Sequence, residues 1–163
     1  MEKSNLFSIG GRNLKTAFSV LLCVLLFEII NRPFPFYACI AAVICVKDTW
    51  ENSFTIGKNR LIGTFIGGII GIVFIFISQT IHFFNTQSII TAVGIIVVIH
   101  ICNLMNRPGS TVIACIVFLA IMVNLKGTGP YLYAINRILD TFIGVIIALL
   151  VNRYIAPVKK SSK

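Results

Sequence analysis

The chain alternates between long apolar runs and short polar breaks. A bilayer core about 30 Å thick is crossed by roughly 20 apolar residues in a helix, with a range of about 17–25. Four of the apolar runs reach that length, and the second and fifth are shorter. Together they predict six membrane helices, over Leu14–Ile30, Phe34–Val46, Leu61–Ile81, Ser88–Leu104, Thr111–Leu125 and Ile138–Ile155. We therefore expect an all-α integral membrane domain over residues 14–155, between a cytoplasmic segment 1–13 and a basic cytoplasmic tail 156–163.

The basic residues stand in the polar breaks, which fixes an orientation for these helices. If the N-terminus is cytoplasmic, only Arg32, Lys126 and Arg137 fall on the outer side. All other basic residues then face the cytoplasm, as the positive-inside rule requires. This pattern predicts a multi-pass protein of the cell membrane with both termini in the cytoplasm.

The composition excludes most soluble classes. Hydrophobic residues make up 57% of the chain and charged residues 12%, with a mean hydropathy of +0.95. A soluble domain is about 45–50% apolar and about 25% charged. The net charge of +9 is not gathered in one basic cluster, so no nucleic-acid partner is expected. No phosphate-binding loop, nucleophile elbow or metal-binding helix motif occurs, so we expect neither an enzyme nor a cofactor or metal site.

The two halves of the chain resemble each other. The first half, about 14–81, shares four short motifs with the second half, about 88–155, at shifts of 75 to 77 residues. The motifs are Thr16-Ala17 with Thr91-Ala92, Asn31-Arg32-Pro33 with Asn106-Arg107-Pro108, Ala38-Cys39-Ile40 with Ala114-Cys115-Ile116, and Asn59-Arg60-x-x-Gly63-Thr64 with Asn136-Arg137-x-x-Asp140-Thr141. Three helices in each half would make the repeats inverted, an architecture typical of secondary transporters.

Two arginines stand at equivalent places in this repeat. Arg60 opens the third predicted helix and Arg137 opens the sixth, each entering from one side of the membrane. Arginine binds carboxylates through two hydrogen bonds, and Thr64 and Thr141 lie one helical turn further on the same face. The four residues predict two half-sites for an organic anion. The alternative is that both arginines are anchors at the membrane interface.

Three further charged residues complete the candidate site. Arg32 and Arg107 precede the two short helices, whose N-termini attract anions. As an alternative, both are loop arginines that reach toward the interface. Asp140 could couple transport to protons. Its alternative is a charge neutralised by Arg137, three residues earlier on the same helix face.

Small residues on the third helix form a second pattern. Gly63, Gly67 and Gly71 recur every fourth residue, and Gly144 and Ala148 repeat the spacing more weakly on the sixth helix. Small residues at this spacing let two membrane helices approach closely. We expect the glycines to serve helix packing rather than transport itself.

Several motifs together resemble the fusaric acid resistance protein-like family, also called the aromatic acid exporter family. They are Gly11-Arg12-x-x-Lys15-Thr16-Ala17, Phe36-Tyr37-Ala38, Asn59-Arg60-x-x-Gly63-Thr64-x-x-Gly67, Arg137-x-x-Asp140-Thr141-x-x-Gly144 and Val151-Asn152. The resemblance covers about residues 8–153. It implies a six-helix exporter of aromatic or other organic acids, with Arg60, Thr64, Arg137 and Thr141 as its best site candidates.

The expected function follows from the repeat and the resemblance together. We expect a gradient-driven exporter of small organic acid anions, with the lipid bilayer and the anion as its partners. An anion channel and a non-transporting accessory subunit are the alternatives. Many members of this family carry a soluble cytoplasmic domain, whereas this chain ends at Lys163. We therefore expect a minimal module that self-associates, with a homodimer favoured.

Overall fold

The computed structural model describes residues 10–80, 86–123 and 129–155. Within these ranges the chain is 88% helical and forms no strand. The helices are α1 (Gly11–Ile29), α2 (Phe36–Cys45), α3 (Trp50–Thr80), α4 (Thr86–Leu104), α5 (Pro108–Val123) and α6 (Pro130–Tyr154). They confirm an all-α fold and follow the order of the six apolar runs. The basic tail 156–163 and most of segment 1–13 lie outside the described residues.

Two helices begin well before the apolar runs that predicted them. Helix α3 starts at Trp50 instead of Leu61, and α6 starts at Pro130 instead of Ile138. Polar residues form helical turns as readily as apolar ones when the start is capped. Thr49 caps α3, because its Oγ1 accepts the N–H of Asn52 at 3.3 Å. The expectation that Arg60 and Arg137 open these helices is therefore wrong, since both lie inside them.

Fewer helices than expected have both the length and the apolarity to cross a membrane. Among the described residues they are Trp50–Thr80, Gln87–Leu104 and Tyr131–Tyr154. The expected fourth, α1, is excluded because Arg12, Lys15 and Glu28 all fall within its 19 residues. Helices α2 and α5 are apolar but have only 10 and 16 residues.

Helices α1 and α4 end in the same way. Asn31 and Asn106 have φ angles of 50° and 52°, the left-handed conformation that asparagine tolerates better than most residues. The next N–H, of Arg32 or Arg107, donates to the carbonyl oxygen five residues earlier, at 2.9 Å and 3.0 Å respectively. This is the Schellman motif, and the proline that follows cannot continue the helix. The repeated Asn-Arg-Pro is thus a helix stop.

The chain divides into two compact units. Unit 1 comprises Met1–Thr55 with Ile143–Lys163, and unit 2 comprises Ile56–Phe142. Each unit therefore draws on both halves of the sequence, and α3 and α6 contribute to both.

In unit 2, α3 packs along α5. Gly63 faces Ser110, Gly67 faces Ala114 and Gly71 faces Ile121. Residue numbers rise together on the two helices, so α3 and α5 run parallel. A Cβ on Gly67 would lie 3.0 Å from the Cα of Ala114 and closer still to its carbonyl oxygen. Only glycine permits this approach of the two backbones.

The remainder of unit 2 closes around α5. Helix α4 runs antiparallel to it, because Gln87 Nε2 donates to the Met122 carbonyl oxygen at 3.1 Å while Gly94 lies against Phe118. Phe118 is fully buried and packs edge-on against Phe74, with 5.5 Å between ring centres. The apolar core of this unit thus consists of side chains from α3, α4, α5 and α6.

Unit 1 contains one equally close helix contact. A Cβ on Gly144 of α6 would lie 2.8 Å from the Cα of Ala38 on α2. The thiol of Cys23 on α1 donates to the carbonyl oxygen of the same Ala38, with 3.8 Å between sulfur and oxygen. Ala38 is therefore the point at which α1, α2 and α6 meet.

Candidate functional site

Five charged or hydroxyl side chains predicted for the site are buried within unit 2. Arg60 exposes 8% of its surface and Arg137 exposes 6%. Asp140, Thr64 and Thr141 are buried as deeply. An interfacial arginine keeps its guanidinium group in water. The burial of both arginines therefore argues against a role as interface anchors.

On α3, Arg60 and Thr64 lie between two packed faces. Successive residues turn by about 100° around a helix, so residues four apart share a face. The stripe through Gly67 packs on α5, whereas Gly68 packs on Ile138 of α6. Thr64 lies between these two directions, and its hydroxyl group accepts or donates no hydrogen bond among the described residues. A buried hydroxyl in this state is available to a ligand.

Helix α5 contributes a buried hydroxyl that the sequence analysis missed. Ser110 is fully inaccessible, and its Oγ is also without a hydrogen-bond partner in the described part of the chain. Its backbone oxygen faces Gly63, one residue before Thr64. The available signal was a polar residue in the first turn of an otherwise apolar helix.

On α6, three polar residues share one side of the helix. Arg137 is followed by Asp140 and Thr141, three and four residues later. The guanidinium carbon of Arg137 lies 5.9 Å from the centre of the Tyr133 ring, a cation–π distance. Ile138, the neighbour of Arg137, is the residue that contacts Gly68 of α3. The polar residues of α6 are therefore close to the helix pair that also carries Thr64.

The two arginines of the Asn-Arg-Pro motifs are in different surroundings. Arg32 belongs to unit 1, is half-buried, and has its guanidinium carbon 6.0 Å from the centre of the Phe27 ring. Arg107 belongs to unit 2, is exposed, and directly precedes the first residue of α5. Helix α2 begins only at Phe36, four residues after Arg32. Arg107 therefore stands next to the start of its short helix, as expected, whereas Arg32 does not.

A second buried polar group, also missed by the sequence analysis, lies in unit 1. Lys15 Nζ donates to Asn152 Oδ1 at 3.2 Å. Asn152 Nδ2 donates to Ser53 Oγ at 2.7 Å and to the Thr49 carbonyl oxygen at 3.1 Å. Ser53 Oγ also accepts the backbone N–H of Lys47 at 2.9 Å. We call Lys15, Ser53 and Asn152 the unit 1 polar group.

Neither group offers a metal site in the described ranges, because no three His, Cys, Asp or Glu side chains come together there. What the two groups share is an excess of cationic and hydroxyl or amide donors. Such donors suit oxyanions, above all carboxylates.

Comparison with known proteins places the sequence of this chain in a family. The model of Aromatic acid exporter family member 1 matches residues 7–155. A UPF0421 protein of Bacillus cereus is 28% identical over 149 residues, which cover 91% of this chain and 40% of that protein. A UPF0421 protein of Staphylococcus epidermidis is 28% identical over 152 residues, which cover 93% of this chain and 44% of that protein.

The chain thus spans about two fifths of the length of these relatives. No solved structure matches it. The family model covers nearly the whole of the described chain and extends from before α1 to the end of α6. The chain therefore belongs to the aromatic acid exporter family.

Proposed function

We propose that this chain forms the transport path of a gradient-driven exporter for small aromatic carboxylates. Its six helices lie in the cell membrane as two inverted repeats, with both termini in the cytoplasm. Family membership supports export. The absence of a phosphate-binding loop from the sequence supports an ion gradient as the energy source.

A pair of reciprocal contacts supports the inverted repeat. Gly67 and Gly144 are equivalent in the two halves, and so are Ala114 and Ala38. Gly67 packs on Ala114, and Gly144 packs on Ala38. The third helix of each half therefore contacts the second helix of the other half. Reciprocal contacts of this kind are what an inverted repeat predicts.

The contact between Gly68 and Ile138 is the observation that carries the proposed site. Six spans alternate in direction, so α3 and α6 run antiparallel. Thr64 lies four residues before Gly68, about 6 Å along α3, and Thr141 lies three residues after Ile138, about 4.5 Å along α6. The two threonines then lie at nearly the same depth.

The arginines flank this threonine pair from opposite sides. Arg60 lies one turn from Thr64 toward one face of the membrane, and Arg137 lies one turn from Thr141 toward the other. With a rise of 1.5 Å per residue, their Cα atoms are roughly 13 Å apart along the axis. A carboxylate can therefore pass from one guanidinium group to the other with hydroxyl donors between them. Two half-sites of this kind, each toward one side of the membrane, suit alternating access.

Reconstituted vesicles test this site directly. We expect efflux of radiolabelled benzoate, with kcat/KM reduced about 10- to 100-fold by Arg60→Gln or Arg137→Gln. That range corresponds to the roughly 1.5–3 kcal/mol of a hydrogen bond to a charged group. Thr64→Val is expected to reduce kcat/KM less, because the lost hydrogen bond is neutral. Lys58→Gln is the matched control, since it removes one positive charge from an exposed position on α3.

The same experiment decides between the alternatives. Flux that both arginine variants leave unchanged would contradict the proposed site. Unitary currents in a planar bilayer would replace the carrier by an anion channel. No flux, combined with stable co-purification of one larger partner, would make the chain an accessory subunit. Asp140→Asn tests proton coupling, because only a coupled carrier loses its response to an imposed pH gradient.

A further inference from the structure

The unit 1 polar group holds a buried ammonium group with few acceptors. Lys15 exposes 6% of its surface, and a lysine carries three N–H donors. In the described part of the chain, its one side-chain acceptor is Asn152 Oδ1, which is neutral. Asn152 is held in this orientation by its own bonds to Ser53 and Thr49. The ammonium group is thus fixed at a position where most of its donor capacity is unused.

No carboxylate neutralises this charge among the described residues. Glu28, Asp48 and Glu51 are the acidic residues of unit 1 that the structure describes, and all three are exposed. None forms an ion pair with Lys15. Buried charges in proteins are almost always paired, because desolvation otherwise disfavours them. The group therefore has the electrostatic character of an oxyanion site.

The residues next to the group extend this character toward the surface. Arg153 follows Asn152 in sequence, is exposed, and has its guanidinium carbon 5.5 Å from the centre of the Trp50 ring. Trp50 stacks on Phe54, with 6.2 Å between ring centres. Trp50 is also the first residue of α3, whose positive dipole end lies there. An exposed cation and an aromatic surface thus follow directly, in sequence, the two residues Asn152 and Thr49 that hold the lysine in place.

We propose that Lys15 binds the carboxylate of the aromatic acid and that Asn152 holds the ammonium group in position, while Arg153 and Trp50 receive the anion first. The inference rests on the proposed function and adds a capture site on the cytoplasmic side. It is separate from the Arg60 and Arg137 path in unit 2. A lipid phosphate shares this oxyanion chemistry, so the test must separate the two sources.

Benzoate binding to the purified full chain in lipid-free detergent tests the site. We expect benzoate to raise the Tm, and we expect Lys15→Gln to raise the Kd at least tenfold, because glutamine keeps the hydrogen bond but removes the charge. Lys15→Arg keeps the charge and should stay within about fivefold of the parent Kd. Lys58→Gln, with the same change in net charge, should leave the Kd unchanged.

Asn152→Asp gives an independent measurement that does not depend on the stability of the lysine variants. A carboxylate at position 152 would pair with Lys15 directly. We expect a higher Tm without benzoate and a smaller rise than in the parent chain when benzoate is added, because the Arg60 and Arg137 path can still bind benzoate. An unchanged benzoate response in both Asn152→Asp and Lys15→Gln would overturn the proposal.

Two further outcomes separate this site from its competitors. A Lys15-dependent rise in Tm with phosphatidylglycerol but not with benzoate would overturn the carboxylate assignment in favour of a lipid headgroup. Benzoate binding that depends on Lys15, without any flux in vesicles, would support the site while contradicting the transport function. Flux whose KM from the cytoplasmic side is unaffected by Lys15→Gln would contradict the site alone.

Discussion

Glycines make the close helix contacts in both units, but their number differs. The two helix pairs are α3 with α5 in unit 2 and α6 with α2 in unit 1. In unit 2, three glycines contact a helix of 16 residues. In unit 1, the one glycine of α6, Gly144, makes such a contact with α2, which has 10 residues. At the positions equivalent to Gly63 and Gly71, α6 carries Asp140 and Ala148. The second half has therefore kept the central glycine and exchanged the outer two.

The different number of glycine contacts indicates that the two helix pairs differ in rigidity. A row of close backbone contacts holds α3 and α5 in one register, because neither helix can slide without a clash along the row. A single close contact leaves α6 and α2 free to tilt about it. We therefore infer that the α3–α5 pair behaves as a rigid body and that α6 is the more adjustable partner.

The largest expected effect comes from adding a methyl group at the central glycine. Gly67→Ala places a Cβ against the backbone of Ala114, and the neighbouring contacts prevent relief by sliding. We expect a cost of about 2–3 kcal/mol for Gly67→Ala, and about 1–2 kcal/mol for Gly144→Ala, where α2 can move. Unfolding by SDS titration in mixed micelles measures both.

The matched control for this pair lies one residue away. A Cβ on Gly68 would meet Ile138 at ordinary contact distances, 3.4 Å to Cδ1 and 3.9 Å to Cγ1. Gly68→Ala should change stability by no more than about 0.5 kcal/mol, since alanine also favours the helix. Equal costs for Gly67→Ala and Gly144→Ala would contradict the proposed difference in rigidity.

A smaller effect on stability is expected at Gly71, the last glycine that contacts α5, and at Ala148, the equivalent residue of α6. Gly71→Ala would bring a Cβ to 2.9 Å from Ile121 Cδ1, and to 3.1 Å and 3.2 Å from its Cγ2 and Cβ. We expect a cost of about 1 kcal/mol, because these are side-chain atoms, whereas backbone atoms oppose Gly67. Ala148→Gly should cost about 1 kcal/mol as well, since a fully buried methyl group and helix propensity are lost. Chemical denaturation in detergent measures both changes.

If Gly71→Ala or Ala148→Gly raises the stability, the two helix pairs are interchangeable at this position. Such a gain would remove the reason for inferring that the exchange of glycine for alanine on α6 makes this helix more adjustable than α3. The two variants also serve as mutual controls, because each converts one half toward the residue of the other.

The order and class of the helices could be predicted from the sequence, whereas their first turns could not. Apolar runs identify the stretches that avoid water, so all six helices were found. The first turns of α3 and α6 are polar, and only capping at Thr49 and the favourable position of Pro130 extend the helices there. This extension moved Arg60 and Arg137 from helix ends to helix interiors.

The burial of polar side chains could be predicted only in part. Arg60, Thr64, Arg137 and Thr141 were found because they recur in the repeat. Lys15 was placed on the cytoplasmic side and in a family motif but in no site, because its partner Asn152 lies 137 positions away. Sequence periodicity gives the face on which a residue lies, but it cannot give the distant partner that covers that face.

The smallest expected effect concerns the helix stops that both halves share. Asn31→Ala and Asn106→Ala force alanine into a left-handed conformation at φ angles of about 50°. We expect each to cost about 1 kcal/mol, whereas Asn→Gly at either position should be neutral or slightly stabilising. Thermal unfolding in detergent measures the four variants. Because the two stops have the same hydrogen-bond pattern, their costs should agree within about 0.5 kcal/mol, unlike those of the two glycines. If the costs of Asn31→Ala and Asn106→Ala clearly differ, the two halves differ in stability away from the glycines as well. The rigidity of the α3–α5 pair could then no longer be attributed to Gly63, Gly67 and Gly71 alone.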